Sequence, residues 1–129
     1  MKSPKKIFLI FTFLVLLTGM SCALPVYYVD TTYEPEPVFR IKDKRLFFSR
    51  KAWINWVIVA DRKTKEVIWD IRGVPREIEV LKLGEVPQGF CEYIKFDKSR
   101  LADDKEYTLI IPGHDVGGSG EGYIFTIRK

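Results

Sequence analysis

Trp53-Ile-Asn-Trp-Val-Ile-Val-Ala60, Asp61-Arg-Lys-Thr-Lys-Glu66 and Val67-Ile-Trp-Asp-Ile71 follow one another without a break, and this run decides the fold. The outer pieces are rich in β-branched and aromatic residues, and the middle piece is polar, the pattern of two strands joined by a turn. Successive side chains on a strand point to opposite faces. Ile54, Trp56, Ile58 and Ala60 therefore share one face, expected to meet Val67, Trp69 and Ile71 in the core with Trp56 as the central tryptophan. The other face carries Trp53, Val57 and Val59, although a strand with one solvated side should be polar there. A cover is expected, either Tyr27-Tyr28-Val29 folding back or a partner protein.

Strand signals continue on both sides. Val38 to Ile41 alternates, and Leu46 to Ser49 follows a charged Lys-Asp-Lys-Arg turn. Ile78 to Leu83 and Cys91 to Phe96 are separated by Gly84-Glu-Val-Pro-Gln-Gly89, whose glycines and proline bar a regular strand. Glu106 to Ile111 and Tyr123 to Ile127 form a second hairpin across a glycine-rich loop. No long amphipathic stretch with helical period and no internal repeat is present. In a chain of 129 residues, this spacing predicts one all-β domain, an antiparallel β-sandwich of about seven strands. Apolar residues make up 47% of the sequence, enough to fill such a core.

Leu101-Ala-Asp-Asp-Lys-Glu-Tyr107, followed by Thr-Leu-Ile, resembles the tyrosine corner of fibronectin type III domains, although it lacks proline. The resemblance implies an Ig-like sandwich. Leu101 would plug one end while the Tyr107 ring packs beneath the crossover and its hydroxyl bonds upstream backbone. It implies no function.

The N-terminus differs in kind. Lys2, Lys5 and Lys6 precede the uncharged run Ile7 to Leu17, and Thr18, Gly19 and Ser21 follow, a secretory signal layout over residues 1–21. The apolar run is too short for the roughly 20 residues that span a bilayer. Leu17-Thr-Gly-Met-Ser-Cys22 resembles a bacterial lipoprotein box, with Gly19 where the family prefers leucine. That resemblance implies lipid on Cys22, a membrane partner and a cell-envelope location, facing the periplasm from the outer membrane in a Gram-negative host. Ser21-Cys22-Ala23 also fits an ordinary cut before Leu24, which would release a secreted or periplasmic protein. Residues 22–37, with Pro25, Pro35 and Pro37, read as a tether, and residues 38–129 as the sandwich. With Cys22 lipidated, Cys91 is the remaining thiol, expected to be small, buried and apolar. A Cys22–Cys91 bridge is the alternative if the leader is kept.

The formal net charge is +4, but Lys2, Lys5 and Lys6 lie in the leader and none of the 17 acidic residues does, so the remainder has 18 basic groups against 17. That near balance argues against a nucleic-acid partner. A local cluster, Arg40, Lys42, Lys44, Arg45, Arg50 and Lys51, reads as a solvated edge that discourages aggregation, or as a contact for anionic headgroups.

Gly113-His-Asp-Val-Gly-Gly-Ser-Gly-Glu-Gly122 lacks the Gly-Lys-Ser/Thr of a phosphate loop and does not run from a strand into a helix. It reads as a flexible hairpin tip or a mobile binding loop, with His114, Asp115, Gly117, Gly118 and Ser119 as candidate contacts alongside Trp53, Val57 and Val59. One histidine cannot build a zinc centre without carboxylates from elsewhere, and no serine sits in a nucleophile elbow. No metal, no cofactor and no catalysis are expected. The sequence points to a non-catalytic protein–protein contact or assembly module, with a carbohydrate- or small-ligand-binding sandwich as the alternative.

Overall fold

The computed structural model describes residues 26–33, 36–44, 49–118 and 120–127. Its strands are β1 Val26–Tyr33, β2 Pro37–Lys44, β3 Ser49–Asp61, β4 Val67–Ile78, β5 Val80–Lys82, β6 Phe90–Ile94, β7 Glu106–Ile110, β8 Asp115–Val116 and β9 Tyr123–Thr126. One helical element is described, a short 3-10 turn at Lys98–Arg100. The protein is an all-β sandwich with more strands than the seven expected.

β3 belongs to both layers. Its first residues, Ser49 to Lys51, pair with β2 in a sheet that also holds β1, β5 and β8. From Ala52 onward it pairs with β4 and β7, and β6 and β9 complete the second sheet. The inner faces meet through aromatic rings: Phe39 of β2 packs edge-on to Phe125 of β9 at 4.8 Å. Polar ties reinforce the contact. Thr31 Oγ1 donates to Tyr123 Oη at 2.8 Å, and Tyr33 Oη donates to the Thr126 carbonyl at 2.6 Å.

The β3–β4 hairpin forms as expected, but the inward face of β3 changes partway. Ala52 and Ile54 point inward, then Val57 and Val59, both fully buried, while Trp56 and Ile58 are only half-buried. The ladder shifts between Ile54↔Arg76 and Trp56↔Arg72, where Gly73-Val74-Pro75 of β4 stands opposite Asn55. Proline cannot donate to a ladder and is found at bulges. The irregularity re-aims every later side chain. Val57 and Val59 thus belong to the core and not to an exposed patch, and Trp69 replaces Trp56 as the central tryptophan.

Within the segment read as a tether, Val26–Tyr33 is a strand of the fold. β1 lies antiparallel to β2 over its full length and is flanked on its other side by β8. Tyr27 is buried and its hydroxyl donates to the Trp53 carbonyl at 3.0 Å. Folding back therefore supplies part of the expected cover, and the sandwich includes Val26–Tyr33, ahead of the expected boundary at residue 38. Cys91, expected to be buried, is an exposed free thiol, because it sits on β6, which among the described residues pairs with β4 alone, and it opposes Arg72 on the solvent side. Leu101 and Tyr107 are buried together, and Tyr107 Oη accepts the Ala102 N–H at 3.1 Å.

Candidate functional site

The change of face on β3 gives the second sheet apolar side chains on both sides. Across its outer face Ile110, Ile58, Asp70 and Ile94 lie in register on β7, β3, β4 and β6. Directly opposed residues on neighbouring strands share a face. One step along, Trp56 opposes Arg72.

These residues form a layered cluster. Buried Asp70 accepts the Trp56 indole N–H on Oδ1 at 2.9 Å. Arg72 donates to both of its oxygens, Nε to Oδ1 at 3.2 Å and Nη2 to Oδ2 at 3.0 Å. This fork pins the guanidinium, whose centre lies 4.3 Å from the Trp56 ring and 4.6 Å from that of Tyr93. Tyr93 is 65% exposed. Bonding to Asp70 raises the Arg72 pKa further above its ordinary value, so the group stays a cation at all working pH values. A buried carboxylate therefore orients an arginine held between two aromatic rings, beside an isoleucine strip.

The other expected contacts are dispersed. Trp53, 56% exposed, projects from a different part of β3. The glycine-rich loop is partly stitched down and is not simply a flexible tip: Asp115 and Val116 pair parallel to Val26 and Tyr27, and Gly117 N–H donates to the Tyr27 carbonyl at 2.8 Å. The His114 ring stacks on Tyr27 at 4.4 Å. Asp115 is half-buried and Val116 buried, while Gly117 and Gly118 are exposed; Ser119 and Cys22 lie outside the described residues. Among the described residues no group of three or more His, Cys, Asp or Glu is placed to hold a metal ion.

An open hollow of about 460 Å³ at the β3–β4 turn is lined by Asp61, Arg62, Lys63, Asp104, Lys105 and Glu106. Four of these six charges are paired with one another. Buried Asp61 meets Lys105 and accepts the Lys63 and Thr64 N–H groups at 2.9 and 3.1 Å, and Arg62 meets Glu106. Bonding to Lys105, then to those two amides, outweighs burial and holds the Asp61 carboxyl below its ordinary 3.8. A carboxyl depressed in the folded state contributes stability that is complete above its unfolded value, near 3.9, and drains as pH falls through the folded one. Asp61→Asn is expected to cost about 1 kcal/mol at neutral pH, a gap that closes in acid. Denaturant midpoints of both proteins across that range check this; a gap independent of pH would show that the ion pair is not its source.

No protein-family model matches the chain, and no curated protein or solved structure is significantly similar to it. Among the described residues no helix is long and apolar enough to cross a membrane.

Proposed function

We propose that the protein is a non-catalytic, lipid-anchored component of a bacterial cell envelope, which acts by protein–protein contact through the outer face of its second sheet. The observation that carries this reading is Arg72 clamped between Trp56 and Tyr93 beside Ile58 and Ile110. Tryptophan, tyrosine and arginine dominate binding energy at protein interfaces, and pre-ordered side chains lose little freedom on association. A sheet already packed on one face has no structural need for an apolar second face. The partner is a protein with a flat, largely uncharged patch, because the Arg72 charge is already balanced by Asp70.

The anchor rests on the Lys–apolar–Cys22 layout, and Tyr107 bonding back to Ala102 favours a fibronectin-type-III-like sandwich. Sugar binding is less well supported, because Arg72 lies over one face of each ring that a pyranose would stack on. The test places a photo-reactive aromatic residue at Tyr93, and at exposed Thr64 as control, in the full chain in cells. A discrete protein adduct at position 93, absent at 64 and lost with Ile58→Glu, is expected. Equal labelling at both positions sinks the proposal.

A further inference from the structure

The outer face of the first sheet poses a separate problem. Along β2, Phe39, Ile41 and Asp43 point inward, so Arg40, Lys42 and Lys44 point outward. Cross-strand register sets Lys42 between Tyr28 on β1 and Lys51 on β3. Arg40 lies between Asp30 and Val80, and Lys82 opposes Val38. Beyond Lys51, Trp53 projects from the same side of β3, because Ala52 and Ile54 face the core. The face thus displays Arg40, Lys42, Lys44, Lys51 and Lys82 around two large rings, Tyr28 at 50% and Trp53 at 56% exposure.

Fold stability does not account for this arrangement. Basic side chains protect exposed sheet edges from mispairing, but β2 is an interior strand, bonded to β1 on one side and to β3 and β5 on the other. Lys42 directly opposes Lys51, and like charges in that position are destabilising. Among the described residues none of these cations forms an ion pair, although exposed acids adjoin the face: Asp30 opposite Arg40, Glu77 opposite Trp53, Glu79 near Lys42 and Lys51, and Glu85 near Lys82. Glu79 lines a shallow hollow of about 210 Å³ with Lys42 and Lys51, one carboxylate beside two directly opposed cations. The face is built for an anion supplied from outside.

We infer that this face docks on an anionic lipid surface, with the cations against headgroup phosphates and Trp53 and Tyr28 at the apolar boundary. The inference rests on the proposed anchoring at Cys22. Ala23, Leu24 and Pro25 alone separate that residue from β1, a reach of roughly 14 Å at full extension. Charge attraction to a membrane decays over about 8 Å at physiological salt, so so short a leash keeps the face within range. The near balance of charge over residues 22–129 as a whole, 18 basic groups against 17 acidic, argues against wholesale attraction to polyanions. Exposed tryptophan and tyrosine suit the water–hydrocarbon boundary, where one end of the ring is apolar and the other wet.

The test uses the full chain as processed in a bacterial host, sedimented with phosphatidylcholine vesicles with and without phosphatidylglycerol. The ratio of binding to the two vesicles reads the face; the mass of the mature N-terminus reads the anchor. Wild type is expected to favour the anionic vesicles, and Lys42→Glu with Lys51→Glu to lower that ratio at least about tenfold. The milder Lys42→Gln with Lys51→Gln gives a smaller drop and guards against a reversal variant that fails to fold. Brominated lipid should quench wild type more than Trp53→Phe. A folded double variant with an undiminished ratio overturns the inference. A mature N-terminus without lipid, alongside a ratio that still falls in the double variant, overturns the anchor and leaves the docking face standing.

Discussion

Trp69→Ala is expected to lower stability by about 3 to 5 kcal/mol, the range for emptying the site of a fully buried large aromatic. Trp69 has no solvent exposure, packs edge-on to Phe96 at 6.5 Å and donates its indole N–H to Glu92 Oε2 at 2.8 Å. Truncation removes the ring and the donor together, leaving the half-buried carboxylate with the weaker Phe96 N–H bond at 3.3 Å. For a domain near 100 residues this loss corresponds to a fall in Tm of roughly 15 to 30 °C. Trp69→Phe keeps most of the volume and should cost about 1 to 2 kcal/mol. Trp56→Ala, at a half-buried outer position, should also cost far less than Trp69→Ala. Thermal unfolding followed by circular dichroism ranks the variants; a larger loss at Trp56 than at Trp69 would reverse the assignment of the core tryptophan.

Gly73→Ala tests a close approach of backbone to backbone. A Cβ at Gly73 would lie 2.4 Å from the Gly89 carbonyl oxygen and 2.7 Å from the Phe90 ring. The ring can turn, but the carbonyl belongs to a tight turn in which Phe90 N–H donates to the Pro87 carbonyl at 3.1 Å. Relief therefore requires β6 to move away from β4, at about 2 to 3 kcal/mol. Amide exchange should accelerate in Phe90 to Glu92, the residues paired with Gly73, Arg72 and Ile71. Unchanged exchange there would show that the turn yields without separating the strands.

Strand content was legible because alternation and turn chemistry are local. The direction of β3 was not, since it is apolar on both sides and period-two reasoning cannot choose between two apolar faces. The missing signal was present in Gly73-Val74-Pro75, which marks a bulge once β4 is extended beyond Ile71. Without the bulge, strict alternation sets Val57 and Val59 outside and Trp56 inside. β1 was masked differently: Pro25, Pro35 and Pro37 suggested a tether, although Val26-Tyr-Tyr-Val-Asp-Thr-Thr-Tyr33 between them is strongly β-prone. β8 spans two residues, too few for any pattern. The clamp at Arg72 depends on a contact with Tyr93, distant along the chain, which no local pattern announces.

The parallel pairing of Val26 with Asp115 makes the first strand depend on nearly the last. The two are separated by about 90 residues, so a ribosome needs roughly 5 to 20 s to deliver the second after the first. During that interval one flank of the opening strand stays bare, and the aromatic stack of Tyr27 on His114 cannot form. A chain cut short before His114 would be left with an open ladder at its beginning, and so would be a ready substrate for proteases and chaperones.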